Sequence, residues 1–228
     1  MDGTANTILS RTLAELIGTF FLVLGSVAPS MLAAGHGPDT GLLGAALAPG
    51  LMLIGGVTAF GPVSGAHFNP AVTVGLAAIG RFDWHDLPGY LVAQLVGALI
   101  AVMIARAWFG DVAALGATLP AAGVSGLTAL AVEITLTFWL VFVIAALTGP
   151  DSGQLRTLAP LAVGLTVTFG ILLGGSVSGA AMNPARWFAP ALIGGTFDAG
   201  WVYSLGPLTG GALGALAYQS ICARGKRQ

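Results

Sequence analysis

Charge is scarce in this chain. Asp, Glu, Lys and Arg make up only 7% of its 228 residues, while 56% are hydrophobic. A soluble domain carries about 25% charged residues, so an ordinary globular fold is excluded. Cysteine is scarcer still. Cys222 stands alone, which rules out an intrachain disulfide and any cysteine-based metal cluster; it reads as a packing residue near the end of the last span. A net charge of −1 leaves no basic surface for nucleic acid. A cleavable signal peptide is not expected, because the first apolar stretch is too long and lacks a small-residue cleavage site. The chain shows no Ser/His/Asp triad, no metal-ligand set and no phosphate loop, so neither an enzyme nor a cofactor is expected. Gly174-Gly175 and Gly210-Gly211 read as packing or turn positions. What is plentiful is glycine, 35 residues without a collagen period. Small residues let helices approach closely in lipid, where packing replaces the hydrophobic drive between them. The composition therefore predicts a polytopic all-α membrane protein.

Six apolar stretches are long enough to span, near residues 8–33, 42–60, 87–108, 127–147, 157–175 and 200–221. Two more, 70–79 and 184–194, are about ten residues each, too short to cross a core of about 30 Å as helices. They read as re-entrant half-helices. Of the eight basic residues, Arg11, Arg81, Arg156, Arg224, Lys226 and Arg227 fall on one side if both termini are cytoplasmic. Arg106 falls near the outer end of the third span and Arg186 inside the second short segment. This bias predicts cytoplasmic termini.

The chain also repeats itself. Ser64-Gly65-Ala66-His67-Phe68-Asn69-Pro70-Ala71 matches Ser178-Gly179-Ala180-Ala181-Met182-Asn183-Pro184-Ala185 at six of eight positions. Upstream, the stretch opening with Glu15 echoes the one opening with Glu133, with Glu-to-Asn separations of 54 and 50 residues. Each half, about 8–108 and 127–221, then holds three spans and one short segment, within one channel domain covering 1–228. An odd number of spans per repeat inserts the halves with opposite topology, so the short segments enter from opposite faces. In each Asn-Pro-Ala triplet, Asn suits the N-cap and Pro the next position. A capped helix beginning at membrane depth must line a cavity or be buried in protein. Two such N-termini meeting would place about half a positive charge each at the centre. With the Asn69 and Asn183 amides free to donate, neutral oxygen-bearing molecules are accepted and protons and cations meet a barrier.

On these stretches, together with Ala14–Phe20, Ala93–Ala98 and Arg186, the chain resembles the aquaporin (major intrinsic protein) family over nearly its whole length. The resemblance implies an hourglass fold of six transmembrane helices and two half-helices, one pore per subunit and a homotetramer. It implies an outer constriction at Pro49, Ile171, Ala180 and Arg186. Water-selective members put Phe and His at the first two of these places, and glycerol facilitators put Asp after the arginine, where this chain has Trp187. The filter most resembles the nodulin-26-like and bacterial metalloid-permeable branches. A wider, more apolar ring is expected, with Pro49 kinking its helix and with Trp187 and Phe188 packing at a helix start. Glu15 and Glu133 are expected to brace the re-entrant loops, because irregular buried backbone needs partners. His67 is expected to line the inner vestibule or brace the loop; His36 and His85 sit in loops without matching metal ligands.

The expected function is a passive channel for water and small uncharged solutes such as glycerol, urea or metalloid hydroxides, excluding protons and ions. A proton-coupled secondary transporter is the alternative, since inverted repeats, broken helices and two intramembrane acids fit that class too. A non-conducting adhesion protein is a third class. Short neutral loops suggest a prokaryotic inner membrane.

Overall fold

The computed structural model describes residues 6–35, 37, 39–149 and 152–222. His36, Arg224, Lys226 and Arg227 lie outside the described residues. Eight α-helices follow in order: α1 (Ile8–Gly35), α2 (Gly41–Ser64), α3 (Pro70–Ala78), α4 (Leu87–Phe109), α5 (Gly126–Thr148), α6 (Ala159–Ser178), α7 (Pro184–Gly194) and α8 (Gly200–Cys222). Short 3-10 turns at Ala113–Gly116 and Gly153–Leu158 precede α5 and α6. The six long helices fall on the six expected spans and the two short ones on the expected half-helices. By length and composition, α1, α2, α4, α5 and the stretch Gly153–Ser178 holding α6 qualify to cross a membrane. α8 has the length, 23 residues, but its glycines and polar Ser204, Thr209 and Gln219 dilute its hydropathy. Its place is set by packing: it lies along α5 as α4 lies along α1.

Those two pairs approach so closely that only glycine fits. A Cβ at Gly97 of α4 would lie 2.3 Å from the Leu16 carbonyl oxygen of α1. A Cβ at Gly210 of α8 would lie 2.3 Å from the Ile134 carbonyl oxygen of α5. The halves meet where α2 crosses α6. There a Cβ at Gly50 would lie 2.8 Å from the Gly164 oxygen, and one at Gly164 would lie 2.4 Å from the Gly50 oxygen. Glycine at both positions brings the backbones together, the packing mode expected where lipid supplies no hydrophobic drive.

One end of the bundle gathers the beginning of α1 and the end of α8. Asn6 Nδ2 donates to the Pro62 carbonyl, Gln219 Nε2 reaches the Ile79 carbonyl, and the Arg81 guanidinium donates to the Ala145 carbonyl. With the termini expected on the cytoplasmic side, this is the inner end. Arg11, Arg81 and Arg156 belong to it, and Arg106 to the outer end. Trp84 at the inner end and Trp108 and Trp201 at the outer end are exposed, the placement of tryptophan at membrane–water interfaces.

Candidate functional site

Two irregular segments, 65–69 and 179–183, run back into the bundle and each delivers a half-helix. They share one backbone pattern. Gly65, Ala66 and Phe68 have φ of 86°, 51° and 51°, and Gly179, Ala180 and Met182 have 82°, 47° and 51°. Left-handed alanine, phenylalanine and methionine cost roughly 1–2 kcal/mol each, so something must hold them. In the first half it is Glu15. Its Oε1 accepts from Ser64 Oγ (2.7 Å) and the His67 N–H (2.9 Å), and its Oε2 from the Phe68 N–H (2.6 Å) and Gln94 Nε2 (2.8 Å). Glu133 does the same in the second half, accepting from Ser178 Oγ (2.8 Å), Ala181 N–H (2.9 Å) and Met182 N–H (2.8 Å). Bonds of this kind contribute about 1.5–3 kcal/mol each, enough to offset the backbone strain. Burying a carboxyl group is itself costly, so the arrangement specifies loop shape more than it adds stability. Both acids are fully buried, and neither borders the cavity described below.

A repeat-related pair that sequence reasoning missed completes each brace. Tyr90 Oη donates to the Ser64 carbonyl at 2.7 Å, and Tyr203 Oη to the Ser178 carbonyl at 2.6 Å. The two tyrosines lie 113 residues apart, close to the 114-residue spacing of Asn69 and Asn183. That spacing was the signal that could have found them.

Each half-helix begins as predicted. Asn69 and Asn183 adopt extended backbone at the N-cap, and their Oδ1 atoms accept from the N–H groups of Ala71 (2.8 Å) and Ala185 (2.9 Å). Pro70 and Pro184 take the next position. The amide nitrogens depart from expectation. Each spends one N–H on the opposite loop: Asn69 Nδ2 donates to the Met182 carbonyl and Asn183 Nδ2 to the Phe68 carbonyl. One N–H of each amide, not two, is left for a permeant. The physical reason is that the loops approach closely enough for their carbonyls to claim a donor.

Both asparagines border a narrow cavity of about 40 Å³, room for a short file of about three waters at ~10–15 Å³ each. Its wall is otherwise largely aliphatic. Leu22 and Ser26 come from α1, Leu53 from α2, Leu140 and Ile144 from α5, and Val167 and Ile171 from α6. Ile171, Ala180 and Arg186 all border it. Pro49 does not border it. The proline is buried on α2, its Cα 3.7 Å from where a Cβ at Gly25 of α1 would lie. α2 runs unbroken through it from Gly41 to Ser64. Ser26 of α1 stands in the cavity wall, and Pro49 of α2 does not.

Arg186 follows the second motif, and its Nη1 donates to the Gly116 carbonyl at 2.8 Å. That carbonyl comes from the segment between α4 and α5, where Ala113, Ala114 and Leu115 are all left-handed. A Cβ at Gly116 would sit 2.7 Å from Val27 Cβ, so the segment is pressed against α1. The Ala121 N–H donates to the Val177 carbonyl at 2.9 Å, tying it to the end of α6. Trp187 is buried and stacked on Tyr203 at 6.2 Å; it packs the helix start, as expected. His67 borders both the narrow cavity and a wider inner vestibule of about 510 Å³. Its Nδ1 lies 3.2 Å from Thr73 Oγ1, which donates to the Asn69 carbonyl and accepts from Gln94 Nε2. Among the described residues no group of three or more His, Cys, Asp or Glu side chains could hold a metal.

These features have counterparts in known proteins. Residues 4–218 match the family profile described as Major intrinsic protein. A rice (Oryza sativa subsp. japonica) protein named aquaporin NIP1-4 is 43% identical over 222 residues, covering 97% of this chain and 80% of its own. A maize (Zea mays) protein named aquaporin NIP1-1 is 41% identical, covering 93% of this chain and 75% of its own. In three dimensions the chain superposes on the aquaglyceroporin from Plasmodium falciparum with a TM-score of 0.85, covering 95% and 98% of the two chains at 24% identity, a likeness of fold. With two capped half-helices meeting at a narrow conduit inside six long helices, this multi-pass membrane protein belongs to the major intrinsic protein family of channels.

Proposed function

We propose that the chain, as one channel domain, conducts water and small uncharged solutes through the cavity between Asn69 and Asn183 and excludes protons and cations. The carrying observation is the pairing of two helix N-termini, each with a spare amide donor, in one narrow wall. The positive ends of both helices and the Arg186 guanidinium make the path hostile to cations. Coupled transport is less well supported, because Glu15 and Glu133 face loop donors and not the lumen.

The outer ring is proposed to be Ile171, Ala180 and Arg186, completed by Ser26 in place of Pro49. It carries no aromatic ring and few competing polar groups, which favours permeants larger than water: glycerol, urea or undissociated metalloid hydroxides. Relatives named NIP-type aquaporins accord with that reading. The termini are placed on the cytoplasmic side from the cluster Arg11, Arg81 and Arg156. The relatives are plant proteins, and they lend no support to a bacterial inner membrane. A homotetramer is proposed on family grounds.

Stopped-flow light scattering on proteoliposomes tests the proposal. Water and glycerol flux well above empty liposomes, unsaturated by solute and indifferent to a proton gradient, is the expected result. Flux that needs a proton gradient would favour the transporter reading, and no flux from inserted protein a non-conducting role.

A further inference from the structure

The inner vestibule holds two arginines that conduction does not use. Arg81, from the turn after α3, and Arg156, from the 3-10 turn before α6, both border it. The Arg81 guanidinium donates to the Ala145 carbonyl, and a Cβ at Gly149 would lie 2.9 Å from each of its terminal nitrogens. Arg156 Nη2 donates to the Thr148 carbonyl at 3.0 Å and reaches the Gly149 carbonyl at 3.5 Å. Two guanidinium groups thus converge on one residue, Gly149. Arg81 also lies over the Tyr218 ring at 5.1 Å, and two like charges bordering one space favour an anion between them. Among the described residues neither meets a carboxylate; the ion pairs there are Arg11–Asp86, His85–Asp86 and Arg106–Asp111. Each guanidinium has five N–H donors, and carbonyls engage only one terminal nitrogen of each. Ala159 and Pro160, the first residues of α6, border the same space, and α6 continues directly from the 3-10 turn that carries Arg156.

We propose that the inner vestibule is an oxyanion site that takes a phosphoryl group between Arg81 and Arg156, and that its occupancy throttles flux. A planar guanidinium matches a tetrahedral oxyanion with two parallel donors. His67 and Ile144 border both the vestibule and the narrow cavity, so an occupant stands over the inner mouth of the conduit. The phosphoryl group can come from soluble phosphate or from a lipid headgroup. This inference goes beyond conduction itself.

The test uses the full chain in phosphatidylcholine liposomes, with water flux read by stopped flow. One arm holds chloride buffer on both sides, a second inorganic phosphate at equal ionic strength and osmolarity. A third uses phosphatidylglycerol liposomes in chloride. Phosphate should lower protein-mediated flux by about twofold or more once its concentration passes Kd, and raise the melting temperature in detergent by mass action. Arg156→Gln and Arg81→Gln should each lose that response while keeping their flux in chloride. Arg156 is exposed, so its variant folds even if the Arg81 variant does not. A drop confined to the phosphatidylglycerol arm assigns the site to lipid headgroups. If neither phosphate nor anionic lipid changes flux or melting temperature, or if Arg156→Gln responds like the parent, the site does not exist. Flux in chloride reports separately on conduction, and the melting shift reads the site even where flux is absent.

Discussion

Asn69 and Asn183 clasp each other's loops: Asn69 Nδ2 lies 2.7 Å from the carbonyl oxygen of Met182, and Asn183 Nδ2 lies 2.9 Å from that of Phe68. Each acceptor is the residue just before the other asparagine. The clasp fixes the spacing of the two helix ends while their Oδ1 atoms cap them. Asn183→Asp puts an acceptor against the Phe68 carbonyl and adds a negative charge to the lumen. Losing a buried bond of this kind costs about 1–3 kcal/mol. Water flux per inserted protein should fall severalfold in stopped flow, and the barrier to cations should weaken. Unchanged flux would mean that the clasp is dispensable.

Glu133→Ala strips the acceptor from Ser178, Ala181 and Met182 at once. Each orphaned buried donor costs about 1–3 kcal/mol, so the melting temperature in detergent should drop and flux should be lost. Glu15→Ala should do likewise. If these acids carried protons for coupled transport, their Gln variants would fold normally and lose only proton dependence.

Ile171→Phe and Pro49→Phe separate the lumen from the wall behind it. Ile171 borders the narrow cavity and Pro49 does not. Phenylalanine at 171 should suppress glycerol flux more than water flux. Phenylalanine at 49 should instead disturb the contact with Gly25 and lower stability by about 1–3 kcal/mol, as overpacking does. Selective loss of glycerol flux in the Pro49 variant would return that residue to the ring.

Gly50→Leu tests the seam between the halves. A Cβ at Gly50 already falls 2.8 Å from the Gly164 oxygen, and backbone cannot yield as a side chain tip can. Monodisperse protein should be lost on size-exclusion chromatography. Normal yield would show that the two helices can separate without harm.

The architecture was legible because the repeat around Asn69 and Asn183 carries its own physics: an N-cap, a proline and a segment too short to span. The braces at Glu15 and Glu133 were legible for the same reason, since unusual backbone must find partners. Three things were not. Tyr90 and Tyr203 sit in dissimilar local sequence, so only their spacing betrayed them. The Gly116 carbonyl that orients Arg186 is backbone, and no side chain in that Ala/Gly-rich segment marks it. Pro49 does not border the narrow cavity, and counting along a helix sets height but not the direction a residue faces. That direction depends on how deeply α1 packs against α2, which is a property of the whole bundle.

The most direct measurement is osmotic water permeability of proteoliposomes carrying the parent chain, with a pH-sensitive dye trapped inside. The account predicts water flux well above empty liposomes, while an imposed proton gradient dissipates no faster than in empty ones. Rapid acidification alongside water flow, or water flow that requires the gradient, would contradict a conduit guarded by two converging helix ends.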